Sequence, residues 1–430
     1  MLQKLSLVLL TDLFWLCLCL PGYALLRRVW PAVHEAGLLA VIAWSAFASF
    51  LLLSPASLAG YALGAPLGAF SAVVAVAVVA SVVVLVRARA HVEWLACLRR
   101  EQSAGWLLLA GLLWLQARVG AYFDGDATFH LGRVRVLLQH GFTNRDIYLS
   151  DYYFQHIYHS NLLYPIYASA SQLTGHTYLE VWFYSQAWAK LLVAAGHYAL
   201  GWSATRRRSV AWLLALVVIT ANAGETYTTY PNTLAVGWLL PLLLAAGWSL
   251  LTPDPPPRQA LAVAATSLVL AQVHALYAVY AGLALGPGLV AALLWPRSSA
   301  RRGPIVGALA GLLCAAPFLL ISQYAFKPTL PNAQPSAPAA PSAQPQAAPA
   351  PPPPPSQRSV GDIAADVNKG KPASPTPAVA AGGGHLEKGL ELDTATGKVW
   401  FDPDKMGGKT FVTLGFASFA LGLIGAFRRR

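Results

Sequence analysis

The sequence predicts an all-α polytopic membrane protein of about eleven transmembrane helices, with a large outer loop carrying interfacial helices. Three observations predict it. Hydrophobic residues make up 56% of the 430 residues and charged residues 11%, against about 45–50% and about 25% in soluble domains. Apolar windows long enough to cross a hydrocarbon core of roughly 30 Å recur along the chain. Arginines fall in the short segments between those windows, and they fall to one side.

The windows lie near residues 5–26, 35–58, 64–86, 104–119, 180–202, 209–223, 231–251, 259–275, 277–296, 304–324 and 410–427. Two or three of them are short. The pair 259–275 and 277–296 could instead form one long buried helix and a re-entrant piece. The first window is read as a retained span: no small-residue cleavage site follows it, and Arg27-Arg28 supplies a stop.

If every window spans, Arg27-Arg28, Arg87, Arg89, Arg99, Arg100, Arg206 to Arg208, Arg258, Arg297, Arg301-Arg302 and Arg428 to Arg430 share one side. The positive-inside rule makes that side the cytoplasm. The net charge of +12 is then topology and contact with anionic lipid, and nucleic acid is excluded as a partner. Four cysteines, Cys17, Cys19, Cys97 and Cys314, sit in or beside apolar segments and give neither a disulfide framework nor zinc-ligand spacing.

Chemistry concentrates in Tyr122-Phe-Asp-Gly-Asp-Ala-Thr-Phe-His-Leu-Gly-Arg133, directly after the fourth window. A helix from about Phe129 to Leu138 places Asp126, His130 and Arg133 at i, i+4 and i+7 on one face. Leu131, Val134 and Leu138 form an apolar stripe beside them, so the helix would lie on the bilayer with its charges toward one pocket. Further along come the Tyr- and His-rich stretch Asp146 to Pro165, which holds His156 and His159, then Glu225 at the end of a span, and Ala271-Gln-Val-His-Ala-Leu-Tyr277. On this topology all of them reach the outer face. Tyrosine and histidine at such density suit the headgroup region.

The chain divides on composition into N-terminal transmembrane helices (1–119), an outer loop with the acidic motif (120–178), a transmembrane core (179–326), a Pro/Ala-rich outer linker (327–384), a small outer segment (385–409), and a last helix with a basic cytoplasmic tail (410–430). Residues 351–355 are consecutive prolines, and the linker around them reads as an extended spacer.

The acidic cluster in a large outer loop, the Phe-His-x-x-Arg that follows, the Tyr/His-rich stretch and the late His-Ala-Leu-Tyr together resemble the C-type superfamily of integral-membrane glycosyltransferases. The resemblance is best over about residues 118–326. In the commoner pattern the acidic loop follows the first span; here it follows the fourth. The Ala/Arg/Pro-rich style of the chain points to a bacterial protein of the cytoplasmic membrane, and the resemblance implies a glycosyltransferase. It would take a sugar from a polyprenyl-phosphate donor and pass it, outside the cytoplasm, to a glycan, lipid or protein acceptor.

The residues make chemical sense of that implication. Such a transfer needs a carboxylate to deprotonate the acceptor hydroxyl and cations beside the departing phosphate. Asp126 or Asp124 can be the base. Arg133, Arg135, His130 or His274 can neutralise phosphate, and arginine is apt because its planar fork is always charged. Arg133 shares the face of Asp126 and Arg135 does not. Glu225 can bind substrate hydroxyls, and His159 can add to the phosphate or substrate contacts. The Asp124-x-Asp126 pair could also hold Mg2+ or Mn2+ through oxygens, the one cofactor the residues allow.

Each residue has a plainer role beside the functional one. Asp126 could be the N-cap of its helix, and Asp124 could shape a turn with Gly125. His130, His156 and His159 could be ordinary interfacial side chains, Glu225 a cap, and His274 a packed core histidine. Other classes stay open too. A transporter or flippase for lipid-linked saccharides would use the same arginines and aromatics without a base. A polymerase or ligase of such saccharides would not need an acidic pair.

Overall fold

A computed structural model describes residues 2–90, 93, 105–111, 125–143, 158, 160–221, 229–251, 258–294, 302–313, 315–316, 390–393 and 398–401. The chain forms two compact units, Met1–Pro328 with Leu414–Arg430, and Thr329–Thr413. The first is helical. In the second, β1 (Leu390–Asp393) and β2 (Lys398–Phe401) pair antiparallel, with Leu390 opposite Phe401 and Asp393 opposite Lys398. This short hairpin is an addition to the all-α expectation.

The helical unit opens with α1 (Leu2–Val29), α2 (Leu38–Leu63) and α3 (Leu67–Arg87). It continues through α4 (Gly125–His140), α5 (Leu163–Thr174), α6 (Tyr178–Tyr184), α7 (Gln186–Thr205) and α8 (Arg208–Ala221). It closes with α9 (Pro231–Leu250), α10 (Arg258–Val273), α11 (Ala275–Leu294) and α12 (Arg302–Leu313). Residues 105–111 are also helical.

Among the described residues, five helices are long and apolar enough to cross a membrane: Leu7–Val29 of α1, then α2, α3, α9 and α11. Shorter apolar helices are α8, α10 and α12. Against the expected eleven windows, 410–427 and most of 104–119 lie outside the described residues. The window at 180–202 is two helices, because the chain breaks at Ser185. That hydroxyl donates to the Val181 carbonyl at 2.6 Å and accepts from the Trp15 indole at 2.7 Å, which ties the break to α1.

The long helices expose aliphatic side chains on their outer faces. On α3, Val76, Val79, Val83 and Val86 are exposed, Val76 by 67%, while Phe70, Val74, Ser81 and Leu85 are buried. That is an amphipathic pattern turned outward: an aliphatic stripe at helical spacing faces away from the bundle, as a bilayer requires. Leu9, Leu13 and Leu16 make a similar stripe on α1.

Small residues set the helix crossings, since apolar burial alone does not drive helices together in lipid. The Gly22 amide donates to Ser49 Oγ at 2.7 Å, and a Cβ on Gly22 would lie 1.9 Å from the Ser45 carbonyl oxygen. Where α7 crosses α9, a Cβ on Gly196 would lie 2.8 Å from the Trp238 carbonyl oxygen. Residues Ala235–Leu239 of α9 form a π-helical turn, and the Trp238 indole there donates to the Ala43 carbonyl at 3.3 Å. Gly22→Ala is expected to destabilise by about 1–3 kcal/mol through overpacking. A fall in the melting midpoint in detergent checks it; an unchanged midpoint would mean α1 and α2 can part without cost.

The bundle has two chemically distinct ends. Arg27 and Arg28 finish α1, Arg87 finishes α3, and Arg208, Arg258 and Arg302 begin α8, α10 and α12. Arg27 meets Glu93 through hydrogen bonds of 2.8 and 2.6 Å, and its guanidinium holds the Glu93 carboxyl below the ordinary range. The Arg208 guanidinium donates to the Glu35 carbonyl at 3.2 Å, which brings the start of α8 to the α1–α2 connection. Gly307 lies against Ala260, so α12 and α10 start together. The chain reverses at His274, because Leu285 of α11 fills the space beside Gly247 near the arginine-bearing end of α9. His274 therefore stands at the end opposite the arginines.

Candidate functional site

At that opposite end, α4 forms where the sequence predicts it. Its inward side differs in detail from the expected one. Ala127, His130, Leu131, Arg133, Val134 and Leu137 are all buried, so the polar face and the apolar stripe point the same way, into the protein. Leu138 is only half-buried, and Leu137 takes the inner position expected for it. The reason is the partner surface: α5 and α6 pack against α4 and accept both kinds of side chain.

α5 is itself enclosed from Leu163 to Ser171, within a stretch the sequence places at the membrane surface. Asn161 starts it: its side-chain oxygen accepts from the Leu163 amide at 2.8 Å, and its amide group donates to the Val273 carbonyl at 2.5 Å. One asparagine thus fixes both the start of α5 and the turn that carries His274. Gly175, with φ at 73°, ends α5 in the left-handed conformation, and α6 then begins with a capping box between Thr177 and Glu180. The Thr177 amide and hydroxyl both donate to the Glu180 carboxylate, which lowers its pKa.

His130 is 3% exposed. Its Nδ1 lies 2.8 Å from the Tyr164 hydroxyl, and its ring stacks on Trp182 at 6.0 Å and 20°. Tyr158 and Tyr230 flank it, each with ring centroids 5.0 Å away. Burial pushes the Tyr164 hydroxyl well above its ordinary pKa, against a smaller downward pull from Arg133. The hydroxyl therefore stays protonated and can exchange a hydrogen bond with the imidazole at any working pH.

Tyr158 is the bridge of the site. It also meets His274 edge-on, at 5.0 Å and 90°, so two histidines 144 positions apart in sequence share one tyrosine ring. His274 is 3% exposed and packs against Tyr277 at 4.5 Å. Beside it, Gln272 accepts from the Ser54 hydroxyl at 2.5 Å and so ties the turn to α2.

Arg133 is 1% exposed, with Nη2 donating to the Thr143 carbonyl at 3.2 Å. The guanidinium lies close enough to the Tyr61 and Tyr164 hydroxyls to act on both. A charge at this depth is costly, and such groups in membrane bundles mark sites that handle charge. Arg135, on the other side of α4, is exposed. The distinction drawn from helical phase holds.

Of the expected site residues, the structure brings together His130, Arg133 and His274. Asp126 belongs to the first turn of α4, about 6 Å along the axis from His130; its side chain, and the whole of Asp124, His159 and Glu225, lie outside the described residues. Among the described residues no three His, Cys, Asp or Glu side chains gather as a metal site. The ring wall was not picked out in the sequence. Tyr158 and Tyr164 stand inside the quoted Tyr/His-rich stretch, but Trp182, within α6, and Tyr230, at the N-cap of α9, carry no local signal that marks them. Comparison with protein-family models, curated proteins and solved structures returns no match to this chain.

Proposed function

We propose that the chain is a membrane glycosyltransferase that uses a polyprenyl-phosphate sugar donor, with Asp126 as general base and Arg133 facing the donor phosphate. The observation that carries this reading is a fully enclosed arginine grouped with His130, His274 and a wall of aromatic rings, on a helix that carries a carboxylate residue one turn before His130. Arginine suits the phosphate through its fixed fork of donors. Aromatic rings suit a sugar, whose apolar faces pack on them while its hydroxyls reach Tyr and His groups. The donor's tail would remain in the bilayer beside the bundle.

Taking the arginine-bearing end as cytoplasmic, this site lies toward the outer side of the membrane. The full arrangement of about eleven spans belongs to the same proposal. So does the role of Asp124, Glu225 and His159 as further contacts to substrate, and of Asp124 with Asp126 as oxygen ligands should Mg2+ or Mn2+ take part.

The test is incubation of the purified full chain in detergent with radiolabelled polyprenyl-phosphate sugars and an extract containing glycan, lipid and protein acceptors. Movement of label off the donor, with release of polyprenyl phosphate, supports the transferase. Donor that binds and crosses proteoliposome leaflets without losing its sugar replaces this reading with the transporter.

A further inference from the structure

A cavity lies at the arginine-bearing end, away from the site above. It encloses about 230 Å3 between the Pro31–Ala36 turn, α2, α7, α9 and α10. That is below the about 300–1,000 Å3 of drug-sized ligand sites and fits a small polar group.

Its lining is specific in kind. Trp30, Trp44 and Trp202 supply indole walls, Arg206 and Arg258 two guanidinium groups, and Glu35 a carboxylate. Among the described residues neither arginine side chain is in an ion pair. Gln259 is 5% exposed, lines the same cavity, and has a side-chain oxygen with no hydrogen-bond partner. A buried amide oxygen left without a donor is unfavourable, so this one marks where a donor from outside the chain would sit.

The demands of the lining are therefore an anion for the two arginines and a positively charged N–H donor for Gln259, Glu35 and the indole faces. One small group meets both. We infer that this cavity binds a phosphoethanolamine group, with phosphate on Arg206 and Arg258 and the primary ammonium on Gln259 Oε1 and the Glu35 carboxylate. Basic pockets between membrane helices hold lipid headgroups, and tryptophan marks the same interfacial level. A phospholipid headgroup and free phosphoethanolamine share this chemistry. The site does not depend on the glycosyltransferase reading.

Native mass spectrometry of the full chain in detergent tests it, with dioctanoyl phosphatidylethanolamine, dioctanoyl phosphatidylcholine and O-phosphoethanolamine as probes. The expected result is one retained phosphatidylethanolamine per chain, bound at least tenfold more tightly than phosphatidylcholine, whose ammonium has no N–H. The Arg206→Ala/Arg258→Ala variant should weaken retention at least tenfold, and Gln259→Leu, which keeps the side chain's bulk, several-fold. Both arginines are exposed, so the double variant should fold, and its melting midpoint in detergent checks this. Stronger binding of the lipid than of O-phosphoethanolamine supports a bilayer headgroup as the occupant, and equal binding supports the free compound. Equal retention by native and variant chains, or phosphatidylcholine held as tightly, overturns the inference.

Discussion

Asp126→Asn is expected to lower sugar transfer by about 10²–10⁴-fold while leaving donor binding near native. The substitution keeps size and shape and removes only the ability to take a proton. Because α4 begins at Gly125, Asp126 lies inside its first turn and is not the N-cap expected as its plainer role; what it adds there is a dipole contribution of about 0.3–1 kcal/mol, so the change should leave the fold intact. Asp126 belongs to a helix whose next turns are fixed by buried His130, Leu131, Arg133 and Val134, so that one turn is held against the site. The measurement is initial rate and donor affinity on the same preparation. If Asp124→Asn abolishes turnover while Asp126→Asn does not, the base is Asp124 and the helix-face argument falls.

Arg133→Gln is expected to weaken donor binding by about 10–100-fold, the range of one or two hydrogen bonds to a charged group. Glutamine fills part of the space but is too short to keep the bond that Nη2 makes to the Thr143 carbonyl, so the melting midpoint is read beside the affinity to separate loss of the anion contact from loss of the fold. Arg133→Lys should recover little, because lysine presents a point charge where the fork held two oxygens. Donor affinity measured by tryptophan quenching separates the cases. Trp182 stacks on His130, within the proposed site, and reports on its occupancy. Native-like affinity in both variants would show that Arg133 is buried for packing alone.

Much of the architecture was legible because membrane helices announce themselves by run length. The windows behind α1, α2, α3, α8, α9, α10 and α11 match helices to within a few residues, and the phase that separated Arg133 from Arg135 is visible in their burial. What escaped depended on long-range partners. α5 reads as interfacial because tyrosine hydroxyls lower its apolar character. It is interior because those hydroxyls are satisfied, Tyr164 by His130 and Tyr167 by the Thr229 carbonyl at 3.1 Å. The break at Ser185 rests on the Trp15 indole, 170 positions away. No local pattern predicts that Tyr158 joins His130 to His274. One miss was avoidable: Thr177-x-x-Glu180 before an apolar run is a capping-box signature, and it marks the start of α6 just before the window at 180–202 taken for a single span.

On the proposed function, the donor phosphate binds beside His130, Arg133 and His274. A polyprenyl-phosphate sugar carrying a photoreactive group next to the phosphate tests it most directly, with crosslinked peptides of the full chain read by mass spectrometry. Label is expected on peptides containing Tyr158, Tyr164 or His274, and is lost when unlabelled donor competes. Label confined to the opposite end, on peptides containing Arg206 or Arg258, would contradict it.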